Sequence, residues 1–309
     1  MTFRSRSHAW LVPEEIVTGE RLLGLAQIAI VPRHIQRFHR HLERFAPEVV
    51  LFDDYDELGE GDLARISAKD SIFVFTHELQ DFISRIWPRL EGRDYVVLTH
   101  NSDYEADSRY LPWLDGSGEK LSRWFAQNLM IQHPKTEPLP IGIANSMWKH
   151  GNLRTMHRAI GRAERMEKSR LIHIRFNPKT HPGRRQASEA LSRNFPDAGD
   201  ESSSSKRFGS YLADLARHRF CACPRGNGID THRFWESQYL GVIPVVERSL
   251  QSEHWRKCGL PLLITQDWSE VTPDWLEEKA ASLPDVPNRD PLRLSHYSRM
   301  IRDAVAANA

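Results

Sequence analysis

Three things are scarce in this sequence: long apolar runs, cysteine and net charge. No stretch approaches the ~20 apolar residues of a membrane-spanning helix. The longest candidate, 22–31 (LLGLAQIAIV), is short and broken by Gln27. The opening MTFRSRSHAW has no apolar core of the signal-peptide kind. A cytoplasmic protein without a transmembrane segment is expected. Cys221, Cys223 and Cys258 form an odd, sparse set, which argues against a disulfide framework. Cys221 and Cys223 face the same side of one strand, but no matching pair of ligands at zinc spacing accompanies them. They read as small core side chains, and no metal is expected. A formal charge of +1 gives no bulk attraction to nucleic acid, and no basic stripe is interleaved with aromatics. Nucleic acid is therefore not an expected partner, and any phosphate binding must come from local clusters.

What is present is a regular alternation. Short apolar runs at 26–31, 48–53, 71–76, 94–99 and 129–134 read as strands, followed by 170–176, 219–224, 242–246 and 262–265. Their apolar character is continuous rather than alternating, as in parallel strands covered on both faces. Amphipathic segments lie between them. Ile35, Phe38, Leu42 and Phe45 predict a helix over 34–45, with His34, His39 and His41 on its polar face. Strands alternating with helices imply an α/β chain. The polar, helical stretch 151–169 separates the strands into a group of five and a group of four. It predicts two domains, 1–155 and 156–309, with a terminal helix from about residue 292 returning to the first. The polar stretch 197–208 reads as a loop.

The segment 221–246, CACPRGNGIDTHRFWESQYLGVIPVV, concentrates the chemistry. A strand ends at Pro224, two glycines permit a tight turn, and Asp230 or Thr231 can cap a helix that stops at Gly241. That helix start faces the carboxyl end of a parallel sheet, where anions and ligands bind. Arg233 and Glu236 are three apart and share a face among Phe234, Trp235 and Tyr239. An unpaired charge there is costly. An internal ion pair that only stabilises the fold satisfies the pattern. So does a polar ligand, with Glu236 accepting from ribose hydroxyls and arginine meeting a diphosphate.

This stretch resembles the signature of exostosin-type glycosyltransferases: Phe–x–Leu–x–Pro–Arg–Gly, then Arg–x–x–Glu, then Gly–x–Ile–Pro–Val. The residues that carry the resemblance are Phe220, Pro224, Arg225, Gly226, Arg233, Phe234, Glu236, Gly241, Ile243, Pro244 and Val245. Val242 stands where the family usually has cysteine. Outside 220–245 the chain resembles the family only in layout. The resemblance implies two Rossmann-like domains facing a cleft, the GT-B architecture. It also implies a nucleotide-sugar donor held by the C-terminal domain, and transfer with no obligatory metal or other cofactor. The implied donor-binding set is Arg225, Asn227, Asp230, Arg233 and Glu236, joined by Arg175, Asn177 and Arg184 from the loop after strand 170–176.

Chemistry on the other domain is expected just past its apolar strands. FVFTHE ends in His77 and Glu78, and VVLTHNSD in His100, Asn101 and Asp103. Asp103 is the expected catalytic base, His100 its partner and Glu78 the rival. All three are equally explained as caps or as satisfied polar groups. Trp148, His150 and Asn152 follow LPIGIAN towards the hinge. The Asp54–Tyr55–Asp56 triplet has the Asp–x–Asp form of a manganese motif but reads as a solvated loop. The expected activity is inverting, metal-independent transfer of a sugar to a polysaccharide or glycolipid, by a bacterial-type enzyme with peripheral membrane association allowed. The alternative is a carbohydrate- or nucleotide-binding protein without turnover.

Overall fold

The computed structural model describes residues 11–36, 45, 48–198 and 207–307. Among them ten strands form two sheets, and every pairing is parallel. The first sheet holds β1 (Ile28–Pro32), β2 (Val49–Phe52), β3 (Ser71–Phe75), β4 (Tyr95–His100), β5 (Leu121–Ala126) and β6 (Thr136–Pro138), in the order β2-β1-β3-β4-β5-β6. The second holds β7 (Arg170–His173), β8 (His218–Ala222), β9 (Ile243–Glu247) and β10 (Leu263–Thr265), in the order β10-β9-β8-β7. The architecture is mixed α/β and compatible with Rossmann-like folding. β1, β3 and β4 are buried at every position, which is why their sequences are apolar without alternation.

The first sheet reverses its direction of growth between β1 and β3. In open α/β sheets that reversal parts the connecting loops and leaves a crevice at the carboxyl ends of the strands. The second sheet grows in one direction only.

One strand assignment needs correction. Residues 129–134 form no strand beyond a single bridge from Leu129 to Ala106. The chain instead supplies β5 and the three-residue β6. Ser122 and Arg123 interrupt the apolar run of β5, and the Arg123 side chain donates to Pro134 O at 2.7 Å. Trp124 is fully buried and donates its indole N–H to Thr99 Oγ1 at 2.9 Å. It packs edge-to-face on Tyr110 and Trp113.

The described residues divide into two units: 17–141 with 294–307 around the first sheet, and 11–16 with 142–293 around the second. The helix Leu153–Ala163 therefore belongs to the second unit. It is capped by Asn152, which accepts from Thr155 N at 2.9 Å, and it buries Met156, Ile160 and Ala163 along one stripe. The terminal helix Leu294–Ala306 belongs to the unit of the first sheet, where it contacts β4. Of the expected helix over 34–45, Arg33–Gln36 is helical and most of the rest lies outside the described residues. So does most of 197–208, at whose end the helix Phe208–Leu215 begins.

Candidate functional site

In the second unit the helix His232–Tyr239 starts beside the carboxyl ends of β7 and β8. Its beginning is anchored by Asp230, whose two carboxylate oxygens accept from the Trp235 indole at 3.0 and 2.9 Å. Asp230 also accepts from Thr231 N at 2.9 Å and is buried. Asp230 thus anchors the helix from inside the fold. The helix ends at Gly241, whose φ of 63° is the left-handed conformation a C-terminal stop requires. Lys168 donates to Leu240 O and Ala216 O at 2.8 and 2.9 Å, and burial pushes its ammonium down to about 8.

Arg233 and Glu236 sit in a network that sequence spacing did not reveal. Glu236 Oε2 accepts from the Tyr211 hydroxyl at 2.7 Å. The Arg233 guanidinium lies 5.6 Å from the Tyr211 ring centroid and donates to His173 Nδ1 at 3.2 Å. A guanidinium only donates, so the proton of a neutral His173 must sit on Nε2. That nitrogen faces Asp214 Oδ2 at 3.8 Å and makes no hydrogen bond. Asp214 also pairs with Arg175 at 3.4 Å and Arg170 at 3.2 Å. Burial pushes the Glu236 carboxyl up to about 7, although Tyr211 and Arg233 pull it down. Burial also works against the Arg233 charge, but there Tyr211, Cys221, Cys223 and Glu236 win and raise its pKa. The two shifts point in opposite directions for pairing. Glu236 is the more deeply buried partner, so desolvation outweighs attraction on its side alone.

Arg184 and Arg225 shape the neighbouring loops. Arg184 donates to Arg225 O at 2.8 Å, Pro224 O at 3.2 Å and Asn177 O at 3.4 Å. All three acceptors are backbone carbonyls. Burial lowers its pKa, and the nearby Arg233 charge lowers it further. Gly226 leaves room for this brace, since a Cβ there would stand 3.2 Å from Arg184 Nη2. Arg225 N donates to Glu247 Oε2 at 3.0 Å, and Glu247 Oε1 accepts from the Trp268 indole at 2.7 Å. Asn227 is exposed and its carbonyl accepts from Arg225. Asn177 is exposed and its side chain accepts from Lys179 N. Of the expected donor set, Arg184, Arg225 and Arg233 thus converge on the carboxyl ends of β7 to β9, and Arg175 turns to Asp214. His173 stands at the end of β7, where the sequence placed it beside Arg175 and Asn177, whereas Tyr211, Asp214 and Glu247 were missed. They come from three separate elements, Tyr211 and Asp214 from the helix Phe208–Leu215, His173 from the end of β7 and Glu247 from the end of β9, which only folding brings together. Trp148 is exposed, with the His150 ring beside it at 6.4 Å.

At the carboxyl edge of the first sheet the expected residues separate. His100 is 1 % exposed. Its Nε2 bonds Pro140 O at 2.8 Å, and its Nδ1 accepts from Asn101 N at 2.7 Å. Both ring nitrogens of His100 are thus engaged within the first unit. Asp103 is exposed and caps no helix; the cap of the following turn is Asp107, which accepts from Arg109 N. Glu78 lies 3.7 Å from His77 and accepts from the Tyr55 hydroxyl at 3.1 Å. Asp54 and Asp56 are both bound by Arg85, and Tyr55 between them is buried. Among the described residues no group of His, Cys, Asp and Glu is arranged to hold a metal ion. No described helix is long and apolar enough to cross a membrane. No family model matches this sequence, and no curated protein matches it.

Proposed function

We propose that this chain is a glycosyltransferase that moves a sugar from a nucleotide-sugar donor to a polysaccharide or glycolipid acceptor. The reading places the donor diphosphate in the second unit, against Arg184, Arg225 and Arg233. The observation that carries it is the guanidinium of Arg184. It is half-buried, spends its hydrogen bonds on backbone carbonyls and is repelled by Arg233, which an anion between the two would relieve. Glu236 is the candidate ribose acceptor. The finer GT-B arrangement, the absence of a cofactor and the inverting outcome belong to the same proposal and rest on the exostosin-like residues, and a cytoplasmic location belongs to it on the scarcity of apolar runs and cysteine.

In this mechanism the acceptor oxygen attacks the anomeric carbon while the bond from that carbon to the diphosphate oxygen breaks. The electron pair leaves with the nucleoside diphosphate, which the arginines stabilise. The acceptor proton passes to a carboxylate general base, for which the sequence offers Asp103 and Glu78. A second reading, a nucleotide- or carbohydrate-binding protein without turnover, is favoured by the internal bond that already occupies Glu236. Incubation with a panel of uridine- and guanosine-diphosphate sugars separates the two. A transferase releases free nucleoside diphosphate slowly even without acceptor. Binding without release supports the second reading, and neither binding nor release refutes both.

A further inference from the structure

We propose that the carboxyl edge of the first sheet carries a binding site for an uncharged saccharide ring, built from the exposed face of Tyr104 and the polar pair His77 and Glu78. Three independent observations converge on it. The first is topological. β3, which delivers His77 and Glu78, lies at the point where strand order reverses, the place where open α/β sheets bind ligands.

The second is chemical. His77 and Glu78 stand side by side with side chains 31 % and 15 % exposed, so both reach solvent without being fully solvated. The Tyr55 hydroxyl fixes one carboxylate oxygen of Glu78. Burial lowers the His77 pKa, and the imidazole at neutral pH offers one donor and one acceptor. The third is the ring of Tyr104. It is 58 % exposed and stands edge-on to His77 with centroids 6.2 Å apart. Its exposure is imposed by the backbone. Asn101 and Asn128, at the ends of β4 and β5, hold left-handed conformations with φ of 59° and 53°. Asn128 then ties down Ser102 O at 3.3 Å and Tyr104 O at 3.5 Å. Strained positions of this kind gather where a fold holds a functional surface.

The chemistry selects the ligand. Arg33, after β1, pairs with Asp53, and Arg85, after β3, is held by Asp54 and Asp56. A phosphate would meet the Glu78 carboxylate and be repelled. A pyranose lays its C–H face on an aromatic ring and turns its hydroxyls to a carboxylate and an imidazole, which is the set present. The inference deepens the transferase reading in one respect only: it makes that saccharide the acceptor.

Saturation-transfer NMR on the full chain tests it, with the methyl glycosides of glucose, galactose, mannose and xylose at about 10 mM, the weak-binding range. UDP and GDP are titrated separately. At least one glycoside is expected to receive saturation from the wild-type protein. Tyr104→Ala should weaken that binding roughly three- to tenfold, the range of a lost stacking contact. Tyr104→Phe should preserve it and Glu78→Gln should weaken it. Unchanged thermal midpoints would show the variants folded. If no glycoside binds, or if Tyr104→Ala binds as the wild type does, the site is refuted, whatever the nucleotides do. If glycosides bind at Tyr104 while neither nucleotide binds anywhere, this site stands and the transferase reading fails.

Discussion

Replacing Glu236 by glutamine should make the protein more stable above neutral pH. Burial penalises the charge of the Glu236 carboxyl and pushes its pKa up to about 7 in the fold, against about 4.5 for an ordinary glutamate. Between those two values the folded chain holds a proton that the unfolded chain has released. Stability therefore falls as pH rises from about 4.5 to about 7, then levels off. A shift of this size is worth on the order of 3 kcal/mol. Glu236 is 5 % exposed, so solvent screening takes little from that figure. Glutamine keeps an oxygen for the Tyr211 hydroxyl and carries no charge. Glu236→Gln and wild type should unfold alike near pH 4.5, while at pH 8 the variant should gain up to about 3 kcal/mol. Urea titrations at both pH values give the comparison. A variant less stable than wild type at pH 8 would refute the reasoning, because the attraction of the Glu236 charge to Arg233 would then outweigh the cost of burying it. The predicted gain also bears on function: a carboxylate kept where an amide is more stable is a group retained for what it binds.

Gly19→Ala should destabilise the first unit by roughly 1–3 kcal/mol, the range of overpacking. The added methyl would stand 2.0 Å from Asn101 Oδ1 and 2.7 Å from the His100 ring, and calorimetry of the variant checks it. Turnover should persist in excess EDTA, since Asp54 and Asp56 are engaged by Arg85 and the exostosin-like residues imply no metal. Complete loss reversed by Mn²⁺ would return those two aspartates as ligands.

The sequence made the strands of the two sheets legible wherever burial on both faces left an apolar run, as in β1, β3 and β4. β5 escaped because Ser122 and Arg123 lie within it, and β6 because three residues carry no period. The helix His232–Tyr239 was readable from its turn residues, yet Asp230 serves its start by holding Trp235 rather than by facing outward. Arg233 and Glu236 could be singled out as costly charges among aromatics. Their partners could not, because Tyr211, His173 and Asp214 meet them only through folding. His100 shows the converse: a polar residue at a strand end looks functional in sequence, but its ring folds back on Pro140. Tyr104 looked unremarkable because its exposure follows from the left-handed backbone at Asn101 and Asn128.

The central claim is that the second unit binds a nucleoside diphosphate through the arginines at the carboxyl ends of β7 to β9. Isothermal titration of UDP and GDP into wild type and Arg184→Ala tests it most directly. The account predicts that at least one nucleotide binds the wild-type protein. Removing a guanidinium from a charged hydrogen bond should then cost about 1.5–3 kcal/mol, or roughly ten- to a hundredfold in affinity, in a variant that remains folded. No binding of either nucleotide, or equal affinity in the folded Arg184→Ala protein, would contradict it.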